Sequence, residues 1–121
     1  RILLPSTIDH YLPWLASHAY FDELRATGVR FFRYCDGFLH QKVILVDDDL
    51  AAVGTANLDN RSFRLNFESM VFVADGAFAS DVERMLSDDF VQSDELISAL
   101  VDQPLHIRIS SPLARLWAPL L

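Results

Sequence analysis

An α/β fold, with a mixed β-sheet sandwiched between helices, is what this chain of 121 residues predicts. Short runs rich in β-branched and aromatic residues recur along it, and segments with apolar residues at helical spacing fall between them. The length sets the scale: it fits one core-forming domain, near the lower end for a complete enzyme. No internal repeat, low-complexity segment or linker composition divides the chain.

The elements follow in order. Ile2, Leu3, Leu4 and Pro5 read as a strand already under way at Arg1, which predicts a C-terminal piece of a longer protein. Ile8 to Ala26 reads as a helix, with Leu12, Leu15, Ala19 and Leu24 near helical spacing and Gly28 as terminator. Val29 to Tyr34 is an aromatic-rich strand, and Cys35, Asp36 and Gly37 make a turn. Phe38 to Val46 is the next strand, whose Val43, Ile44, Leu45, Val46 run predicts burial on both faces. Asp47, Asp48 and Asp49 reverse the chain into a strand from Leu50 to Ala56. A loop or short helix over Leu58 to Leu65 leads to a strand from Asn66 to Ala74. Phe78, Val82, Met85, Leu86 and Phe90 then mark an acidic amphipathic helix.

Composition excludes several classes of function. The net charge of -7 and the pI near 4.8 leave no broad basic surface for a nucleic-acid backbone, so phosphate chemistry here must be local. Cys35 is the one cysteine, which rules out an internal disulfide framework and reads as a packing residue. Although 51% of residues are hydrophobic, no uninterrupted apolar run is long enough to span a bilayer.

Against this background the polar residues in the strand runs stand out. His40, Lys42, Asp47, Gly54, Thr55 and Asn57 follow the order H-x-K-x4-D-x6-G-T-x-N. Residues two apart in a strand face the same way, so His40 with Lys42, Thr55 with Asn57, and Asn66 with Glu68 make three polar pairs on neighbouring strands. Leaving such groups buried without partners costs about 1 to 3 kcal/mol each, so they satisfy one another or a ligand. A single histidine in an apolar strand is usually a core residue, but a lysine beside it calls for an anion, and a phosphate accounts for both. Asp47 has the wrong parity for that face and serves as structural support. Glu68 is suited to accept a proton from one imidazole nitrogen and so fix the tautomer. Thr55 and Asn57 read either as phosphate donors or as bridges between strands.

The remaining signals are weaker. Arg61 and Arg64 either clamp a second anionic group by fork-shaped hydrogen bonds or make surface salt bridges. His10 and His18 lie eight apart on the expected first helix, too far for a metal pair, and read as incidental, and His106 carries no assigned role. Ser111 and Pro112 resemble an N-cap and first helical position, after which Leu113, Leu116, Trp117 and Leu120 share a face. That stripe suits either a bilayer interface or the protein's own core, with equal weight.

The string with its downstream glutamate resembles the HKD motif of the phospholipase D superfamily, with Thr55 where serine often stands. The stretches from Tyr34 to Lys42 and from Gly54 to Glu68 closely resemble the second HKD half of bacterial cardiolipin synthases. This implies a phospholipase D-like catalytic domain over residues 1–103 and an apolar tail over residues 104–121. It implies a whole protein of two such halves, with one active site between them. The candidate catalytic set is then His40, Lys42, Asp47, Asn57 and Glu68, with Thr55, Asn66, Arg61 and Arg64 binding substrate and no metal or other cofactor.

The implied reaction joins two phosphatidylglycerol molecules into cardiolipin and glycerol through a phosphohistidine, at the cytoplasmic face of a bacterial inner membrane. The partner is the absent N-terminal half or a homodimer mate, and no nucleic acid is expected. His40 is the expected general acid and base, the first-half histidine being the usual nucleophile. The alternatives are another HKD phosphodiesterase, either a phospholipase D hydrolase or a nuclease, or an inactive orphan half-domain.

Overall fold

The computed structural model describes residues 1–8 and 10–120. Asp9 and Leu121, which the expected first helix and tail include, lie outside the described residues. The fold is α/β. Strand β1 (Ile2–Pro5) pairs in parallel with β2 (Phe31–Tyr34) across helix α1 (Tyr11–Arg25), and a short strand β6 (Ser93–Glu95) adds antiparallel to β2. A second three-stranded sheet is fully antiparallel and holds β3 (Val43–Val46), β4 (Leu50–Gly54) and β5 (Met70–Ala74) in that order. Helix α2 (Asn60–Arg64) lies between β4 and β5, and α3 (Gly76–Val91) touches strands of both sheets. Helix α4 (Leu105–Arg115) packs against α1, and a single-turn 3-10 helix (Ala118–Leu120) follows it.

Local chemistry explains the helix ends. Asp75 caps α3 by accepting the Phe78 amide at 2.8 Å, and Asp59 caps α2 by accepting the Ser62 amide at 2.7 Å. The first helix closes as expected of Gly28, which sits at φ 95° while its amide reaches the Arg25 carbonyl and that of Val29 reaches Leu24.

The buried face of α1 is Leu15, Ala16, His18 and Phe21, while Leu12 and Leu24 from the expected face are exposed. The cause is the partner: α4 brings Ile107 and Ala114 against Leu15 and Ala16, with Trp14 and Leu100 alongside. His18 is therefore a core histidine. Its ring lies between Trp14 and Phe21, and Nδ1 donates to the Trp14 carbonyl at 2.9 Å.

Three more expectations are corrected. Ile44 and Val46 are exposed, so the β3 run is not buried on both faces. Cys35 is exposed, 3.3 Å from the Arg33 carbonyl, and does not pack in the core. The last helix begins at Leu105 and not at Ser111, so Pro112 stands inside it and Ser111 is buried. Pro104 precedes that start, and Pro112 has no amide for the Arg108 carbonyl.

Candidate active site

The second sheet gathers the expected polar pairs by its register, though not on its strands. His40 and Lys42 precede β3, Thr55 and Asn57 follow β4, and Asn66 and Glu68 precede β5. Val43 pairs with Val53 and Gly54 with Met70, so in an antiparallel sheet all three pairs fall at the same end. Two further bonds carry the ladder past the strands: the Gly54 amide donates to the Lys42 carbonyl at 3.1 Å, and the Thr55 amide to the Ser69 carbonyl at 3.0 Å. Because the groups sit beyond the strand ends, they are not buried as expected. His40, Thr55, Asn57 and Asn66 are exposed, and Lys42 and Glu68 are half-buried.

Gly54 is what allows this junction. A Cβ there would collide with the Ser69 carbonyl oxygen and lie 2.5 Å from Met70 Sδ and 2.8 Å from Met70 Cα. Only a glycine lets the β4 exit run this close to the β5 entrance.

Glu68 is the hub of the site. Its Oε2 accepts the Thr55 hydroxyl at 2.6 Å, and its Oε1 accepts the Ser62 hydroxyl at 3.0 Å and Asn66 Nδ2 at 3.2 Å. The Thr55 hydroxyl in turn accepts the Ser69 amide at 3.0 Å, and that of Ser62 accepts the Asn57 amide at 3.2 Å. The hydrogen bonds from Thr55 and then Asn66 hold the Glu68 carboxyl below its ordinary value against the opposing pull of burial, with Ser62 and the Lys42 charge adding to the lowering. Glu68 therefore takes its hydrogen bonds from Thr55, Ser62 and Asn66 and not from His40 as the sequence suggests. Thr55 is correspondingly engaged with Glu68 and Ser69.

The imidazole of His40 is stacked on Phe38, with ring centroids 5.5 Å apart and planes 16° from parallel. Lys42 folds back to donate to the His40 carbonyl at 2.8 Å. Just upstream, Gln41 Nε2 donates to Asp89 of α3 at 2.6 Å, which fastens this segment outside the ladder. Asp47 is at the far end of the sheet, in the turn between β3 and β4, where it adopts φ 52°. It shapes that turn and lies away from His40, Lys42, Asn57 and Glu68, with which the motif groups it.

Arg61 Nε donates to Asn66 Oδ1 at 3.2 Å, so Asn66 bridges Arg61 and Glu68. Among the described residues neither Arg61 nor Arg64 makes a salt bridge. A groove of about 600 Å³ runs from Asn57, Asp59, Arg61 and Asn66 to Tyr11, Leu12, Pro13 and Leu120. His10 joins Asn57, Asp59, Arg61 and Asn66 as polar lining, and the apolar lining is Leu12, Pro13 and Leu120 with the Tyr11 ring. No group of three or more His, Cys, Asp or Glu side chains that could hold a metal ion is present among the described residues.

Sequence reasoning misses Ser62, a buried hydroxyl that joins Asn57 to Glu68. The available signal is its place three residues after Asp59, where an N-cap fixes the backbone. It also misses Asn60, whose Nδ2 donates to the Ala118 carbonyl at 3.1 Å and ties α2 to the end of the chain.

Comparison with known proteins places this arrangement. The domain family described as "Cardiolipin synthase, PLD-like domain" matches residues 1–90. The chain belongs to that family. It is also similar throughout its length to proteins named "Cardiolipin synthase A". It is 50% identical to the one from Pseudomonas putida strain GB-1 over 123 aligned residues, covering 100% of this chain and 26% of the relative. The relative from Pseudomonas syringae pv. syringae is 52% identical, and that from Pseudomonas fluorescens strain SBW25 is 48% identical, with the same coverage. The chain spans about a quarter of the length of these relatives.

Proposed function

We propose that this cardiolipin synthase family chain supplies one half of a phosphatidyltransferase site that makes cardiolipin and glycerol from two phosphatidylglycerol molecules. The observation that carries this reading is the convergence of His40, Lys42, Asn57 and Glu68 at one end of one sheet. An exchangeable imidazole, an ammonium and amide donors at one edge suit a phosphodiester, whose non-bridging oxygens need positive charge and whose leaving oxygen needs a proton.

The reaction has two displacements. In the first, an imidazole nitrogen of the other half bonds to phosphorus, the bond from phosphorus to the glycerol oxygen breaks, and His40 gives that oxygen its proton. In the second, His40 takes the proton of the acceptor's hydroxyl, the new bond from oxygen to phosphorus forms, and the phosphohistidine bond breaks. Lys42 and Asn57 stabilise the phosphoryl oxygens in both steps. Glu68 positions Thr55, Ser62 and Asn66, and through Ser62 it holds the Asn57 backbone. Arg61 and Arg64 provide charge for the second headgroup.

The other half of the site comes from a second HKD segment of the whole protein or from a homodimer mate. The proposed workplace is the cytoplasmic face of a bacterial inner membrane. No helix among the described residues is long and apolar enough to cross a membrane.

The test supplies labelled phosphatidylglycerol to the complete protein and follows cardiolipin and phosphatidic acid. Cardiolipin with released glycerol is expected, and phosphatidic acid as the sole product would replace the reading with a hydrolase. His40→Ala is expected to abolish synthesis. Near-normal cardiolipin from that variant would refute the role given to His40.

A further inference from the structure

The last helix presents two apolar faces, and the fold uses only one. Ile107, Ser111, Ala114 and Ala118 are buried on the inner face, where small side chains let α4 lie close to α1. Arg115 fastens that orientation, since its Nη2 meets Glu23 Oε2 at 2.9 Å and its guanidinium lies over the Tyr20 ring at 4.3 Å. The helix is thereby seated with its other side outward. That side carries Leu105, Ile109, Leu113, Leu116, Trp117 and Leu120, each between 59 and 75% exposed. At about 100° per residue Leu105, Ile109 and Leu113 fall within an arc of roughly 80° on α4, opposite the buried one, and the exposed Leu116, Trp117 and Leu120 follow in the turn and 3-10 segment beyond it. A contiguous patch of this kind on a folded domain marks an interaction surface.

Charge identifies what it fits. The chain carries 17 acidic side chains, yet none follows Asp102. The formal side-chain charges beyond that point are Arg108 and Arg115, and among the described residues Arg108 makes no side-chain hydrogen bond or ion pair. A leucine-rich face with an indole near one end, flanked by an uncompensated guanidinium and free of carboxylates, has the chemistry of an anionic bilayer interface.

The surface is also continuous with the candidate active site. Leu120 belongs both to the exposed stripe and to the wall of the groove that holds Asn57, Arg61 and Asn66. The bond from Asn60 to the Ala118 carbonyl fixes that end of the stripe to α2, the helix that carries Arg61 and Ser62.

We propose that the outer face of α4 and the 3-10 turn after it docks on an anionic phospholipid surface and sets the apolar end of the groove against the bilayer. A phospholipid then reaches the site along the groove, its acyl chains toward Leu12 and Leu120 and its phosphate toward Asn57 and Arg61. The purpose of docking rests on the phospholipid reading above, but the docking itself is measurable without turnover.

The test uses the complete protein with Cys35→Ser and an environment-sensitive fluorophore on Trp117→Cys, or on Glu83→Cys of α3 as reference. Each is reconstituted with vesicles of phosphatidylcholine and phosphatidylglycerol, with and without brominated acyl chains. Blue-shifted emission at position 117, quenched by the brominated lipid several-fold more than at position 83, is expected. Leu116→Glu, at a fully surface position, is expected to remove most of that difference. Equal quenching at the two positions overturns the proposal. So does blue-shifted emission at 117 that ignores the lipid, because the face is then covered by protein, either a further segment or a second copy. Cardiolipin formation measured on the same samples separates failure of docking from failure of the transferase reading.

Discussion

Thr55 and Glu68 are joined by a 2.6 Å hydrogen bond from the threonine hydroxyl to Oε2, and the same hydroxyl accepts the Ser69 amide at 3.0 Å. One hydroxyl thus spans the exit of β4 and the entrance of β5. Serine at this position would keep both bonds. Valine keeps the shape and loses them, so Glu68 is left with Ser62 and Asn66. Thr55→Val is expected to lower cardiolipin formation by roughly a hundredfold, the cost of moving a catalytic group by about 1 Å, with little change in melting temperature. Thr55→Ser is expected to stay near wild type, and equal turnover in the two variants would remove the hydroxyl from the account.

Gly54 tests the same junction from the backbone. The methyl of Gly54→Ala has to displace the Ser69 carbonyl and the Met70 backbone, neither of which is the flexible end of a side chain. A destabilisation of about 1 to 3 kcal/mol is expected from the overpacking, together with loss of activity from the shift of Thr55. Urea unfolding of the variant with an unchanged midpoint would contradict the close approach.

Asp47 separates motif membership from chemistry. Its φ of 52° places it in the left-handed region, which aspartate tolerates, glycine adopts freely and β-branched residues resist. Asp47→Gly is expected to retain the fold and most activity, whereas Asp47→Val is expected to lose about 1 to 2 kcal/mol of stability. A dead but fully folded Asp47→Gly protein would restore a chemical role to this carboxylate.

His18 makes stability depend on pH. Burial holds its pKa below the ordinary 6.5, the bond to the Trp14 carbonyl opposes this, and the charges of Arg33 and Arg25 add to the lowering. In the window just below 6.5 the unfolded chain binds a proton that the native histidine refuses. Stability from this group is therefore full above 6.5 and falls as pH drops toward the folded value, with a slope of at most about 1.4 kcal/mol per pH unit. His18→Phe, which keeps an aromatic ring beside Trp14 and Phe21, is expected to flatten that slope. Denaturant midpoints at pH 7.5 and 5.5 measure it, and an unaltered difference between them would count against His18 as the source.

The helices were legible where an apolar face recurs, as from Phe78 to Phe90, or a terminator is encoded, as at Gly28. The gathering of the three polar pairs at one sheet end was legible because their spacing is local in the chain and the β3, β4, β5 meander keeps it local in space. The placement of His40 and Lys42 was not, because the strand starts only at Val43 while Gln41 bonds outward to Asp89 of α3. Ser93, Asp94 and Glu95 carry no strand signature at all. They form β6 because β2 offers an edge, and Arg30 holds Glu95 through two bonds of 2.8 and 2.7 Å. The buried side of α1 was misjudged for a related reason: which stripe of a helix is covered depends on a partner 80 or more positions away, here α4.

The three consecutive aspartates between β3 and β4 acquire a meaning from where the hairpin bends. Asp47, Asp48 and Asp49 are separated from the phosphate-facing edge by the length of β3, roughly 13 Å at 3.3 Å per residue, and Asp75 lies near them beside Gly76. Lys42 and Arg61 lie toward the other edge, where Glu68 and Asp59 are the nearby carboxylates. On the proposed reading, an acidic chain can thereby meet an anionic substrate, because the hairpin holds this run of three carboxylates at the end away from Lys42 and Arg61.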